Sequence, residues 1–274
     1  MQIQSDTLIL GGYDEMIRIF NIPERKEMGG VLENLGSVNF IQSCKSHTLT
    51  GSEQGNISIW RNKDWTNLHS FKGHRAGVTG LALHPTSRML LSSGKDRKIY
   101  LWNLIKARAA FKCRIDRVLE DLQWSPCGTF FIGKSDREVR VYNVECSLKE
   151  EFINFWFKSS IVSAGFLGNS ACFFSADLQG EVNIVAIGKG SLSFNTGDQR
   201  LSKAVFVQVE GRKLLITAST LGVLRIWNLT PAFRAIETLK KNDCLVIENA
   251  EDMMIFHTDL NCRVSALVAN SLTQ

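Results

Sequence analysis

Apolar and polar residues alternate along this chain in short bursts, not at the three-to-four spacing of helices. Six bursts end alike: Ile17-Arg18-Ile19-Phe20-Asn21, Ile57-Ser58-Ile59-Trp60-Arg61, Ile99-Tyr100-Leu101-Trp102-Asn103, Val139-Arg140-Val141-Tyr142-Asn143, Val182-Asn183-Ile184-Val185-Ala186 and Leu224-Arg225-Ile226-Trp227-Asn228. A period of two with a bulky fourth residue predicts a half-buried β-strand in each. The fourth positions are 20, 60, 102, 142, 185 and 227, at intervals of 40, 42, 40, 43 and 42. Spacing this even marks an internal repeat. Short apolar strands with turn signals precede the bursts, as in Met89–Asp96 and Lys213–Ser219.

The third unit is the most complete. Gly73-His74 is followed by an apolar strand over Val78–Leu83, then His84-Pro85, Asp96 and Trp102-Asn103. A Gly-His opening and a Trp-Asp-like close at about 40 residues per unit are the WD40 pattern. The fold class is therefore all-β, a WD40 β-propeller with four strands per blade. A single propeller domain is expected over 1–274, with 230–252 as an insertion holding a helix-like run at Phe233–Lys241. Met253–His257 would return as the outer strand of blade six. Arg263–Ala269 would open a seventh blade. Against a seven-bladed form, the first strand of blade one and about three strands of blade seven are unaccounted for, some 50 residues at roughly 41 per repeat. About six blades are expected, with a truncated product, splice form or incomplete gene model as the reason.

Composition narrows the function. Hydrophobic residues make up 44% and charged residues 22% of the 274, which excludes a disordered chain. No apolar run reaches the length of a membrane helix. The start, Met1–Asp6, lacks a signal peptide's basic and apolar segments. Seven cysteines without a CxxC pair read as reduced, mostly buried thiols, and no metal site or cofactor is expected. Lys and Arg exceed Asp and Glu, 32 to 27, an excess that permits an acidic partner.

His74 and Asp96 are too costly to bury apart. By resemblance to other WD repeats, His74, Ser92, Asp96 and Trp102 form a hydrogen-bond chain that pins the strands. The reading is structural, not catalytic, and no enzyme activity is expected. Gly128–Ser135 matches the phosphate-loop pattern GxxxxGK[ST], but its middle is Thr-Phe-Phe-Ile and the following residues alternate. The segment predicts a strand hairpin in place of the strand-loop-helix that phosphate binding needs.

The stretch from Leu49 to Val144 is more telling. It contains Thr50–Trp60, Leu83–Ser92, Trp102-Asn103-Leu104 followed by Arg108-Ala109-Ala110-Phe111, and Gln123–Gly128. In order and wording it resembles the PAK-interacting WD-repeat family, whose fungal relative is the ribosome-assembly factor MAK-eleven. Trp-Asn-Leu followed by Arg-x-Ala-Phe weighs most, and the likeness covers roughly 5–229. The resemblance implies a nucleolar and nuclear scaffold, with a cytoplasmic pool, that assists maturation of the large ribosomal subunit. The implied partners are pre-ribosomal proteins and pre-rRNA, and in animals p21-activated kinase, which it would restrain. Neither a membrane nor a small-molecule substrate is implied. A lysine-rich C-terminal tail usual in such proteins is missing. A generic signalling scaffold is the alternative. A cullin-ligase substrate receptor is weaker, because Trp60, Trp102 and Trp227 precede Arg61, Asn103 and Asn228, not the Asp of a Trp-Asp-x-Arg motif.

Propeller loops carry function. In blades three to five, the entering loops and those between the second and third strands hold Arg75, Lys95, Arg97, Arg114, Arg117, Lys134, Arg137 and Lys158. Beside them lies Phe155-Trp156-Phe157. Cations neutralise phosphate, and aromatics stack on bases or anchor peptides, so these residues, Trp156 included, are the candidate partner-binding face.

Overall fold

The computed structural model describes residues 2–4, 6–31, 36–44, 46–144, 152–168, 172–209, 211–238, 243–247, 253–258 and 264–266. Among them the strands assemble six sheets. The first is β1 (Gln2–Gln4), β2 (Thr7–Gly11), β3 (Ile17–Asn21) and β4 (Lys26–Val31). The second is β5 (Val38–Ser43), β6 (His47–Ser52), β7 (Asn56–Arg61) and β8 (Asn67–Lys72). The third is β9 (Val78–Leu83), β10 (Met89–Gly94), β11 (Lys98–Asn103) and β12 (Arg108–Arg114). The fourth is β13 (Glu120–Trp124), β14 (Phe130–Ser135), β15 (Glu138–Asn143) and β16 (Phe152–Trp156). Then come β17 (Ile161–Phe166), β18 (Cys172–Asp177), β19 (Glu181–Ala186) and β20 (Ser191–Asn195), followed by β21 (Leu201–Val209), β22 (Arg212–Ser219) and β23 (Leu224–Asn228). Helix α1 (Thr230–Thr238) precedes β24 (Cys244–Ile247), β25 (Met254–Thr258) and β26 (Val264–Ala266). The fifth sheet runs β17-β18-β19-β20-β24, the sixth β21-β22-β23-β25-β26.

The single domain expected over 1–274 packs as two compact units. One comprises Met1–Trp124, Gly128–Ser135 and Val141–Phe152; the other comprises Ser125–Cys127, Asp136–Arg140 and Ile153–Gln274. Within the first unit the leading strands of successive sheets lie side by side, β5 on β9 and β9 on β13; within the second, β17 lies on β21.

The period of two explains this stacking. Leu90 and Leu91 are consecutive in β10 and both fully buried. Leu90 packs with Leu49, Ile59, Phe71 and Trp102 of the second and third sheets. Leu91 points the other way and packs with Trp124, Phe131 and Tyr142. A strand buried on both faces must be apolar on both, and each such side chain contributes about 1.5–3 kcal/mol.

Three segments differ from the sequence expectation. Blade one does have a first strand: Gln2–Gln4 pair antiparallel with β2, Gln2 opposite Ile9 and Gln4 opposite Thr7. The pairing is made by the backbone, so a short polar triplet leaves no hydrophobic signal. Met254–Thr258, by contrast, pairs with β23 as the fourth strand of blade six, as expected. Val264–Ala266 does not open a seventh blade; it adds to β25 as a fifth strand, Phe256 opposite Ala266. Residues 263 and 267–269 lie outside the described residues. The 230–252 segment begins with α1, three residues before the expected run. Pro231 sits in its first turn, where the missing N–H costs nothing. Ala232, Phe233 and Ile236 are buried in the core of the second unit with Leu229 and Trp227. Downstream, β24 lies parallel on β20, Leu192 opposite Leu245.

Candidate functional site

The phosphate-loop look-alike is strand β14 followed by strand β15, with a two-residue turn at Asp136-Arg137. No loop of free amides is presented to a phosphate there.

The third blade holds a continuous hydrogen-bond chain. Trp102 Nε1 donates to Ser92 Oγ at 2.8 Å. Ser92 Oγ meets His74 Nε2 at 2.7 Å, and His74 Nδ1 meets Asp96 Oδ1 at 2.9 Å. The Arg75 backbone N–H donates to Asp96 Oδ2 at 3.1 Å. Because Ser92 Oγ already accepts from Trp102, its proton goes to His74 Nε2, so the histidine proton sits on Nδ1 and faces Asp96. Burial pushes the His74 imidazole below its ordinary value, and Asp96 pulls it partly back. Neutral histidine is what this chain requires. Asp96–His74–Ser92 has the connectivity of a nucleophilic triad. Yet Ser92 is fully buried and its oxygen is saturated by Trp102 and His74, so no substrate carbonyl reaches it.

Local structure fixes these four residues. Tyr100 Oη donates to the Gly73 carbonyl at 2.8 Å, holding the entering loop over the blade. A Cβ on Gly73 would lie 2.3 Å from Trp102 Cη2, which is the physical reason that glycine precedes the histidine. Trp60 Nε1 donates to Thr50 Oγ1 at 2.9 Å, and Trp227 Nε1 to Thr217 Oγ1 at 3.0 Å. Each acceptor stands ten residues before its tryptophan, as Ser92 does. That spacing is a readable signal that the strand pattern alone does not use.

The predicted basic face breaks into separate parts. In the first unit, Arg75, Lys95, Arg97, Arg114 and Arg117 are exposed. The Ile115 N–H donates to the Arg97 carbonyl at 2.9 Å, which brings Arg97 and Arg114 together. Carboxylates share this surface. Lys95 Nζ lies 3.9 Å from Glu53, and Arg117 Nε 3.9 Å from Asp116. Exposed pairs of this kind contribute little stability, but they dilute the positive field. Arg114 belongs to β12 and Lys134 to β14, not to loops. The Lys134 side chain is only 11% exposed and contacts Glu120 at 3.2 Å and Asp121 at 3.6 Å. Adjacent residues of a regular strand point to opposite faces. A bulge between Glu120 and Gln123, with Asp121 at φ 47°, turns both carboxylates to one cation. Lys134 is therefore withdrawn from any partner face.

In the second unit the structure brings Arg137, Trp156 and Lys158 together. The Phe157 N–H donates to the Arg137 carbonyl at 2.9 Å, the Ile161 N–H to the Asp136 carbonyl at 2.6 Å, and Ser160 Oγ to Asp136 Oδ1 at 2.6 Å. Phe155 packs edge-on to Phe173 with centroids 5.0 Å apart. Trp156 is 60% exposed. It borders a cavity of about 560 Å³ shared with Ile153, Lys189 and Asp243. An indole with one apolar face in water and cations nearby is suited to anchor a peptide or to stack on a flat group. Sequence reasoning missed the buried ion pair next to it: Arg140 Nε to Glu138 Oε1 at 2.8 Å and Nη2 to Oε2 at 3.2 Å. Two residues apart in a strand, the pair shares one face, and that spacing is the signal.

Of the described cysteines, Cys113 and Cys172 are buried, Cys44 is half-buried, and Cys127 and Cys244 are exposed; fewer are buried than composition suggests. Cys146 and Cys262 lie outside the described residues. Among the described residues no helix is long and apolar enough to cross a membrane, and no three His, Cys, Asp or Glu side chains form a metal-holding group.

Six sheets built on one repeated strand pattern, with a buried Trp-Ser-His-Asp chain in the third, define a WD40 β-propeller protein. Residues 65–103 match the model of the family described as WD domain, G-beta repeat. The chain is similar to "p21-activated protein kinase-interacting protein 1-like" of Gallus gallus, 28% identical over 238 residues that cover 83% of this chain and 62% of that protein. It is similar to "Protein MAK11" of Saccharomyces cerevisiae, 35% identical over 120 residues, 38% of this chain and 29% of that protein. The chain spans 60–62% of the length of the bird, frog and fish relatives it matches. In structure it resembles a chain of "Crystal Structure of Mitotic Checkpoint Complex" with a TM-score of 0.69 at 16% identity, covering 81% of this chain and 71% of that one. That likeness shows the fold.

Proposed function

We propose that this protein is a non-enzymatic WD-repeat scaffold in large ribosomal subunit biogenesis, acting in the nucleolus and nucleus through pre-ribosomal proteins. The observation that carries the reading is the family likeness. It extends over four-fifths of the chain to a kinase-interacting relative, and over 38% of the chain to the MAK11 protein. The exposed Trp156 beside Arg137 and Lys158 is the contact surface that supports it. Protein is favoured over pre-rRNA as the direct ligand, because Glu53, Asp116, Glu120 and Asp121 sit among the first unit's cations and would repel phosphate. A second reading is restraint of a p21-activated kinase; the name of the bird relative supports interaction with such a kinase.

Affinity purification of the tagged chain from its own cells tests the proposal. Large-subunit precursor proteins should co-purify, and Trp156→Ala should deplete them. Recovery of a kinase without ribosomal proteins would replace the first reading with the second. Recovery of neither would end both.

A further inference from the structure

A second surface, in the first unit, is built for a different ligand. A cavity of about 790 Å³ opens at one end of the interface between the second and third sheets. Ligand-binding clefts fall at about 300–1,000 Å³. Its floor is the hydrophobic core itself: Leu49 and Ile59 of the core cluster, with Leu83 and Leu104 packed against them. Its mouth is apolar as well. Leu68 is 41% and Ile105 72% exposed there. Large apolar side chains left in water around an apolar trough mark an interaction site rather than chance exposure.

The charged residues on the segments that frame it have one sign. The segments framing the groove are 44–47, 68–69, 83–88 and 103–108, and none contains Asp or Glu. Arg88, Lys106 and Arg108 adjoin the lining residues Ser87, Ile105 and Ala107. All three are exposed. Among the described residues none of the three makes an ion pair, whereas Arg61 nearby in sequence is paired with Asp64. The loop that carries Arg88 is tied to the turn that carries Lys106 and leads into Arg108 at the start of β12, the Leu104 N–H donating to the Arg88 carbonyl at 3.0 Å. The apolar trough and the cationic rim are thus held in one geometry.

We propose that this groove binds an extended segment of a partner protein through large apolar side chains flanked by acidic residues. The floor excludes water from the apolar side chains. The unpaired cations meet the flanking carboxylates, and they set the sign and speed of association more than its strength. The groove is independent of the Trp156 surface and does not rest on the ribosomal reading.

The test is selection of a displayed library of random ten-residue peptides on the full chain, followed by anisotropy titration of the labelled winners. Winners should carry neighbouring large apolar residues with Asp or Glu within two positions. Ile105→Asp and Leu68→Asp, both at exposed positions, should weaken them about ten-fold or more, as loss of an anchor contact does. Lys106→Ala with Arg108→Ala should slow association and flatten its salt dependence, and Lys203→Ala on β21 should change nothing. If an aspartate variant melts early, the exposed Lys106/Arg108 pair still decides. Winners without acidic flanks, equal binding by the groove variants, or no enrichment would each overturn the proposal.

Discussion

The third and fifth blades solve the same problem with different chemistry. In both, the turn between the second and third strands must be fastened to the loop that enters the blade. In the third, His74 of the entering loop meets Asp96 of the turn, and the chain continues through Ser92 to Trp102. In the fifth, Asp177 makes the side-chain fastening without a histidine. Its Oδ2 accepts from Ser159 Oγ at 2.6 Å, and its Oδ1 accepts from the Gln179 and Glu181 N–H groups. Ser175 occupies the place of Ser92, but the residue ten positions on is Val185. The Ser175 Oγ is buried and, among the described residues, has no hydrogen-bond partner. The fifth repeat has the acceptor but carries valine where the third carries the indole donor. It folds because Phe174, Val182, Ile184 and Leu192 fill one face of the sheet with apolar surface, and Phe173 and Val185 the other. The polar chain therefore adds specificity and stability to a blade that hydrophobic pattern alone can form.

Breaking the third blade's chain should have the largest effect. Asp96→Ala or His74→Ala leaves buried partners unsatisfied and should cost about 1–3 kcal/mol. Chemical denaturation reads this directly. A wild-type midpoint in both variants would refute the structural role, and loss of a measurable catalytic activity would refute the non-enzymatic one.

Acid should erase part of that difference. The folded His74 resists protonation relative to the unfolded chain, because burial lowers its affinity for a proton. Above the ordinary histidine value of about 6.5 both states are neutral and its contribution is complete. As pH falls below that value the unfolded state takes up a proton that the native state refuses, so stability drops. The gap between wild type and His74→Ala should narrow between pH 7.5 and 5.5 in urea midpoints. A gap that widens would mean the folded histidine is charged.

The smallest effect on stability is expected at the surface. Arg97→Glu, Arg117→Glu and Arg137→Glu together should move the melting temperature little, since each side chain is solvated. The triple variant should slow association with protein partners, with a shallow salt response. A steep salt dependence of wild-type binding, abolished by the triple change, would instead identify phosphate groups as the ligand.

Much of this was legible in the sequence because propeller strands repeat their chemistry locally. Ile17, Ile57, Ile99, Val139, Val182 and Leu224 stand first or second in their strands at near-equal spacing, and the third blade's His, Ser, Asp and Trp announce their own connections. What escaped reading was made by the backbone or by distant partners. Gln2–Gln4 and Cys244–Ile247 join sheets through edge hydrogen bonds that need no side-chain pattern. Lys134 looked like a loop cation because its two carboxylates lie thirteen and fourteen residues away and reach it only through a bulge. The exposure of Trp156 depends on which way the end of β16 turns, and a three-aromatic run does not state that.

The contrast between Ser92 and Ser175 carries the account, and one pair of thermal melts tests it. Ser92→Ala removes the acceptor of Trp102 and the donor to His74, and should lower the melting temperature by several degrees, at roughly 2–4 °C per kcal/mol. Ser175→Ala removes a buried hydroxyl with no partner, and should leave the melting temperature unchanged or raise it. Equal losses from both substitutions would contradict the claim that the third blade is pinned by a polar chain and the fifth by apolar packing.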